Sequence, residues 1–375
     1  MKVKYLATSC AAVLLPILGG EASAVNGLQL TGYGSKAQGM GGASIAFPQD
    51  AMAAANNPAG MAYVGDQLYL GTQALWDHTD SRSGPMTNHG AGVSFTPEIG
   101  YNHVLNEQWT IGLSNASNGA GFEYDNNIAT GGSDGTKGTV ITQIILPTVT
   151  YKPTPDLAIG FSLAPAVSAI NLENFPGVTH DGYEFATGLG WRTGVLWRAN
   201  DIWSFGAMYG SKIKMGSFDG YGEQALAGTN GALDVPEQYG IGVAVNLTPK
   251  LTLAADFLRI RWGGTQFAPL FGWNDQKVRR IGLNYAVNDS WAVRAGVSYA
   301  NRTFDSDDTV RNLMLVAINS KAASIGATKT FSDGDELTFG VEYTFDSPAV
   351  GTGVSAGNKI DTDLIVASVG YSFHF

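Results

Sequence analysis

After each of six short polar turns, the chain enters a stretch in which large apolar residues alternate with small or polar ones. Past Asn288-Asp289 the large positions are Trp291, Val293, Ala295, Val297 and Tyr299, with Arg294, Gly296 and Ser298 between them. Past Asp333-Gly334-Asp335 they are Leu337, Phe339, Val341, Tyr343 and Phe345. The same pattern follows Asn106-Glu107, Pro155-Asp156, Asn200-Asp201 and Pro249-Lys250. A period of two puts one set of residues on each face of a β-strand. In a soluble sandwich the apolar face would be the core and the other face would carry charge into water. Here the apolar face is uniformly large and aromatic, and the opposite face is small with few charges. A membrane barrel has this division, with the apolar face against lipid and the small polar face lining the lumen.

Each of these strands has a partner running into the turn, over roughly 91–104, 139–152, 183–199, 236–248, 277–287 and 319–331. A first strand near 67–76 and a last near 362–375 bring the count to about fourteen, an even number that closes an antiparallel up-and-down barrel without an open edge. The fold class expected is therefore all-β, a transmembrane barrel over residues 66–375. Short turns interleave with long connections, near 77–90, 118–138, 170–182, 213–235, 263–276, 303–318 and 347–360. Short turns on the periplasmic side and long loops outside are the outer-membrane arrangement. Trp109, Trp203 and Trp291 each follow a short turn, where an interfacial aromatic belt falls. The alternating aromatics that end on Phe375 look like the signal read by the bacterial barrel-assembly machinery.

The first 24 residues read as an address. Lys2 and Lys4 precede a short apolar run, and Ala22-Ser23-Ala24 is a cleavage site, which makes residues 1–24 a secretory signal peptide. Cys10 lies before the end of the apolar run, the wrong place for a lipoprotein signal. It is the only cysteine, so the mature chain has no disulfide and no thiolate nucleophile. No mature apolar run reaches the roughly 20 residues of a transmembrane helix. A formal charge of −10 argues against a nucleic-acid partner.

Residues 25–65 do not alternate. They contain Leu28-Gln29-Leu30, a glycine-rich stretch from Gly32 to Ala43, Asp50 and Asn57-Pro58-Ala59-Gly60. Composition alone gives a compact irregular segment with turns. In this order, and with Val235-Pro236-Glu237, Asn288-Asp289, Trp291 and Arg294-Ala295-Gly296 further on, the sequence resembles the FadL/TodX (OMPP1) family of outer-membrane transporters for hydrophobic compounds. The resemblance covers nearly the whole mature chain. It implies that residues 25–65 form an N-terminal hatch inside a fourteen-stranded barrel in the outer membrane of a Gram-negative cell. It also implies diffusion of long-chain fatty acids or hydrocarbons, caught at outer loops, passed to a luminal pocket and released by movement of the hatch through a gap at a kinked early strand. The implied partners are a hydrophobic ligand, outer-membrane lipid and lipopolysaccharide. The chain is expected to act as a monomer, without a cofactor.

Each candidate residue carries two readings. Asn57, Pro58 and Ala59 form either the hatch turn that lines the ligand pocket or a plain turn. Leu28 matches the family position near the ligand. Ser114, Asn115 and Ser117, in a strand that turns polar, mark either a lateral gate or simply the strand's end. Arg192, Asp256, Arg280, Arg294 and Glu342 fall on the luminal face, either to hold a carboxylate ligand or as an internal charge network, and the network is favoured. Phe218, Tyr221, Phe267, Phe271 and Trp273 in the long loops either form a capture groove or pack the loops together. The family's fatty-acid transporters place a basic residue late in the fifth strand; Ala164 to Ile170 here has none, which leaves uncharged hydrocarbons open. Asp305 to Asp308 reads as a solvated loop rather than a Ca²⁺ site. The five histidines have no metal spacing. A water-filled porin is the alternative function; an enzyme is not expected, because no G-x-S-x-G signal accompanies His103.

Overall fold

The computed structural model describes residues 26–128, 130–180, 182–313, 320–345 and 348–375; the expected signal peptide, with Cys10, lies outside the described residues. Among the described residues, fourteen long strands follow one another around a single antiparallel sheet. They are β1 (Gln67–Ser83), β2 (Met86–Val104), β3 (Trp109–Tyr124), β4 (Thr136–Thr154), β5 (Leu157–Glu173), β6 (Glu184–Arg198), β7 (Trp203–Gly210), β8 (Gln238–Thr248), β9 (Leu251–Ile260), β10 (Gln276–Asn288), β11 (Trp291–Ala300), β12 (Lys321–Thr330), β13 (Glu336–Thr344) and β14 (Asn358–His374). β1 pairs with β14 from Gln67 opposite His374 to Ser83 opposite Asn358, so the barrel closes and no strand edge is left to template association. Two-residue ribbons, Lys214–Met215 on β6 and Ala349–Val350 on β14, belong to outer loops.

The alternation is realised as written. Outward positions such as Trp203, Phe205, Ile241, Val297 and Phe339 are exposed, while the residues between them face in. Trp109, Trp203 and Trp291 all point outward beside the short turns. Lys329 Nζ lies 5.3 Å from the Trp291 ring, a cation–π pair suited to the membrane boundary.

The wall is taller on one side than the sequence reading expected. Residues 77–90 are not a loop: β1 runs to Ser83 and β2 starts at Met86, across a tight turn in which Gly84 has φ +57°. β2 has 19 residues and β7 has 8. About ten residues cross the hydrocarbon, so the surplus of the tall strands stands outside it. There the outward positions are His78, Asp80, Arg82 and His89. Without apolar residues, the periodicity that marks a membrane strand is missing.

Residues 26–66 fill the lumen as a plug and are almost entirely buried. The small inward face of the wall is what admits them. A Cβ at Gly160 would run into Pro58, one at Gly194 into the Asn57 side chain, one at Gly206 into Ile45 and one at Gly296 into Met40. The abundance of glycine is thus a packing requirement, because plug backbone lies directly against wall backbone.

Candidate functional site

Polar side chains from around the barrel hold the plug. Asp256 on β9 accepts the backbone N–H groups of Ser44 and Ile45 at 2.7 and 3.0 Å. Glu98 on β2 accepts Gly34 N at 2.8 Å, with Tyr69 and Gln73 on its other flank. Glu342 on β13 accepts the Thr31 hydroxyl at 2.8 Å. Arg192 donates to Ala55 O at 2.7 Å, Arg280 to Gly42 O at 3.3 Å, and Arg294 to Gln49 Oε1 at 2.8 Å. Lys36 of the plug pairs with Glu336 at 2.5 Å. All five charges singled out from the sequence therefore contact the plug. Glu98, Lys36 and Glu336 were missed; for Glu98 the available signal was its inward parity on β2. Within the plug, burial pushes the Asp50 carboxyl above its usual range, against the opposing pull of Lys36 and a hydrogen bond from Met52 N. Burial likewise raises Tyr33.

Asn57 accepts Ala59 N at 3.1 Å, capping the 3₁₀ turn Pro58–Tyr63, and donates to Ile45 O at 2.8 Å and Val195 O at 3.2 Å. Asn57, Pro58 and Ala59 stand against β5 and β6, and none of them lines the apolar cavity described next. Here Asn57 fastens this turn of the plug to β6.

The cavity has a volume of about 270 Å³ and lies between the outer loops and the outer ends of β3, β4 and β5. Leu28 from the plug forms one wall; Phe122, Val140, Ile170, Phe267 and Phe271 form others. Its single charged lining residue among the described ones is Arg311, paired with Asp308 at 3.2 Å. Of the loop aromatics singled out, Phe267 and Phe271 line the cavity. Phe218, Tyr221 and Trp273 are buried in the loop packing, where the Trp273 indole donates to Asn312 at 2.7 Å and the Tyr221 hydroxyl donates to Gly182 O at 2.8 Å.

Next to the cavity the wall is interrupted. β3 stays paired with β4 along its length, but its ladder to β2 stops at Ser114 opposite Gly100 and resumes only at Tyr124 opposite Gly90. Over residues 114–122 the in–out alternation is lost and every residue is buried. The cause is local: this run is small and polar, with no outward apolar residue, and Pro97 on the facing strand has no N–H to donate. At the margin a side chain stands in for the ladder. Asn115 accepts Ile99 N at 2.7 Å and donates to Pro97 O at 2.8 Å, and Ser117 bonds Gln143 at 2.7 Å. The inner surface of this stretch carries the plug's first residues. Gln29 bridges to Asn118, Gly119 N donates to Leu28 O at 2.7 Å, and the Tyr33 hydroxyl donates to Asn118 at 2.5 Å. Ser114, Asn115 and Ser117 sit at the start of this break in the ladder. Among the described residues no group of three or more His, Cys, Asp or Glu side chains is arranged to hold a metal.

Residues 18–369 match the family model described as outer membrane protein transport protein (OMPP1/FadL/TodX). No curated protein sequence matches the chain. Among solved structures, the toluene transporter TodX of P. putida superposes with a TM-score of 0.71 at 20% identity, covering 92% of this chain and 99% of that one. A FadL homologue of Pseudomonas aeruginosa gives a TM-score of 0.68 at 18% identity, covering 93% and 100%. The toluene transporter TbuX of Ralstonia pickettii gives 0.68 at 17%, covering 92% and 99%. At these identities the structures establish a shared barrel fold.

Proposed function

Since this chain belongs to the OMPP1/FadL/TodX family of outer-membrane transport proteins, we propose that it carries hydrophobic small molecules across the outer membrane by diffusion through its barrel. The observation that carries the reading is the apolar cavity of about 270 Å³, walled by Leu28 of the plug and adjoining the break between β2 and β3. Lipopolysaccharide resists a hydrophobe, whereas transfer into such a cavity is favourable by roughly 25 cal/mol per Å² of apolar surface buried.

In this reading the compound is caught among the outer loops and settles against Leu28. Withdrawal of the plug's first residues from β3 opens the way, and the compound leaves sideways past Asn115 and Ser117 into the bilayer. Asp256, Glu98, Arg192 and Arg294 hold the rest of the plug still. Residues 25–65 then act as a hatch that moves only at its tip. Hydrocarbons, long-chain fatty acids and aromatic compounds are the ligand classes in view. TodX and TbuX are described as toluene transporters. A general water-filled porin needs an open lumen, and the filled lumen weighs against it. Phe375, 66% exposed at the end of the chain and stacked on Tyr101 at 6.2 Å, is available to the barrel-assembly machinery.

The test is uptake of labelled toluene, hexadecane and oleate by cells lacking their own transporter, comparing the intact chain with a Leu28→Asp variant. Uptake of at least one hydrophobe that the substitution abolishes supports the reading. Leakage of small sugars without hydrophobe uptake sinks it.

A further inference from the structure

The apolar cavity has a polar inner end. A smaller space of about 20 Å³ shares Leu28, Val140, Leu233 and Phe267 with it, and is bounded further in by Asn118, Thr142, Asp234 and Trp262. Two of these polar groups are engaged within the protein. Asn118 Oδ1 accepts the Tyr33 hydroxyl at 2.5 Å, and Thr142 Oγ1 bonds Ser168 Oγ at 2.6 Å. The other two are not fully engaged. Trp262 is 1% exposed, and its Nε1 has no hydrogen-bond partner among the described residues. Asp234 is 3% exposed; its Oδ1 accepts Met215 N at 3.0 Å, while its Oδ2 is ion-paired with Lys212 Nζ at 3.8 Å but accepts no hydrogen bond.

A buried donor or acceptor without a partner costs about 1–3 kcal/mol, so native proteins keep few of them. A donor and an acceptor that lack hydrogen-bond partners, on two residues that line one small space, are the complement of a hydroxyl, which accepts one hydrogen bond and donates another. Charge narrows the class further. Asp234 is the only charged residue among the described residues lining the inner space, and the one cation of the outer cavity, Arg311, is held by Asp308. A carboxylate ligand arriving here meets a carboxylate whose counter-ion, Lys212, lies 3.8 Å away outside the lining.

We propose that the ligand is a neutral hydrophobe bearing a hydroxyl, an aliphatic alcohol or a phenol. Its apolar body lies in the outer cavity, and its hydroxyl accepts from Trp262 Nε1 and donates to Asp234 Oδ2. The inference rests on reading the cavity as the ligand site. An apolar cavity of about 150 Å³ holds benzene, so the larger one here has room for a chain or ring of roughly eight carbons. Gly27 packs on the edge of the indole, and the hydroxyl takes its place beside Nε1 as the plug tip withdraws. Asp234 is a specificity-determining residue in this arrangement, because it rejects the anionic amphiphile that would otherwise fill the same apolar cavity.

The experiment is a tryptophan-fluorescence titration of the purified, amphipol-held protein with 1-octanol, octanoate and n-octane. In the intact protein 1-octanol binds about tenfold more tightly than octanoate. Asp234→Asn, which keeps an acceptor for Met215 N, brings octanoate to within about threefold of 1-octanol. Trp262→Phe weakens 1-octanol by about threefold to tenfold and leaves n-octane unchanged, which also shows that the variant is folded. Equal binding of octanoate and 1-octanol by the intact protein, or a ratio that Asp234→Asn does not move, overturns the proposal. If n-octane binds as well as 1-octanol, the hydroxyl assignment falls and the transport reading stands. If none of the three binds, both fall.

Discussion

The backbone N–H of Gly119 donates to the carbonyl of Leu28 across 2.7 Å, joining the tip of the plug to the wall where β3 has parted from β2. One residue along on each chain, Gln29 and Asn118 face each other as an isolated antiparallel bridge. The tip of the plug and the break in the wall therefore share one contact.

That contact can be locked. Bridge partners lie within the roughly 4.4–6.8 Å between Cα atoms that a disulfide spans, and the only native cysteine is Cys10 in the expected signal peptide. Gln29→Cys with Asn118→Cys is expected to crosslink on oxidation, to abolish hydrophobe uptake and to regain it on reduction. Uptake that is the same in both redox states, with the crosslink verified by mass spectrometry, would show that the tip does not have to move.

The anchors predict the opposite phenotype. Asp256 holds two plug N–H groups, and Arg280 lies near enough to interact with its charge. Asp256→Ala leaves those donors unpaired and leaves the buried Arg280 guanidinium with Glu342 as its remaining nearby carboxylate, at a cost of about 1–3 kcal/mol for each unpaired donor. The barrel ladder is untouched, so the expected result is a folded barrel with a loose plug, read as sugar permeation in liposome swelling. Deleting residues 26–60 should go further, to a folded barrel with a permanent leak. A deletion variant that folds and excludes sugars as the intact protein does would remove the plug from the mechanism.

Much of this architecture was legible because lipid enforces it: strands such as β10 and β13 show large residues at every second position, from Ile281 to Val287 and from Phe339 to Tyr343. What was not legible lies where lipid does not reach. Residues 77–83 and 86–90 form strands with polar outward faces, so their period carries no apolar mark. The purpose of the luminal charges was hidden because their partners are plug backbone atoms, as with Asp256 and Ser44, and no pattern in sequence pairs a side chain with a backbone group more than two hundred residues away. The break at Ser114–Ser117 left a weak trace, the loss of outward apolar residues, but the same trace marks an ordinary strand end. Pro97 on the facing strand separates the two readings only once the register is known.

At that break, Asn115 makes hydrogen bonds that a ladder would otherwise supply. Asn115→Ala leaves Ile99 N and Pro97 O without it, a loss of about 1–3 kcal/mol at the margin. The gap is expected to widen, raising the uptake rate of a bulky hydrophobe relative to toluene. Ser117→Trp, which places a large side chain in the gap, is expected to reverse that ratio while the barrel keeps its heat-modifiable gel mobility. A ratio that neither substitution shifts would place the exit elsewhere.

The plug also predicts a pH dependence. Burial raises the Asp50 carboxyl above its unfolded value of about 3.9. A carboxyl shifted in this direction binds its proton more tightly in the folded state, so its contribution to stability is complete at pH below about 4 and is lost as pH rises through the folded value. Lys36 opposes the shift without cancelling it. Asp50→Asn keeps the acceptor that Met52 N uses, at 3.0 Å in the native chain, and removes the titration. The native protein should lose thermal stability between pH 4 and neutrality relative to Asp50→Asn, with the two converging in acid. Melting followed by gel mobility across that range gives the difference directly, and parallel curves would mean that Lys36 keeps the carboxylate ionised at no cost.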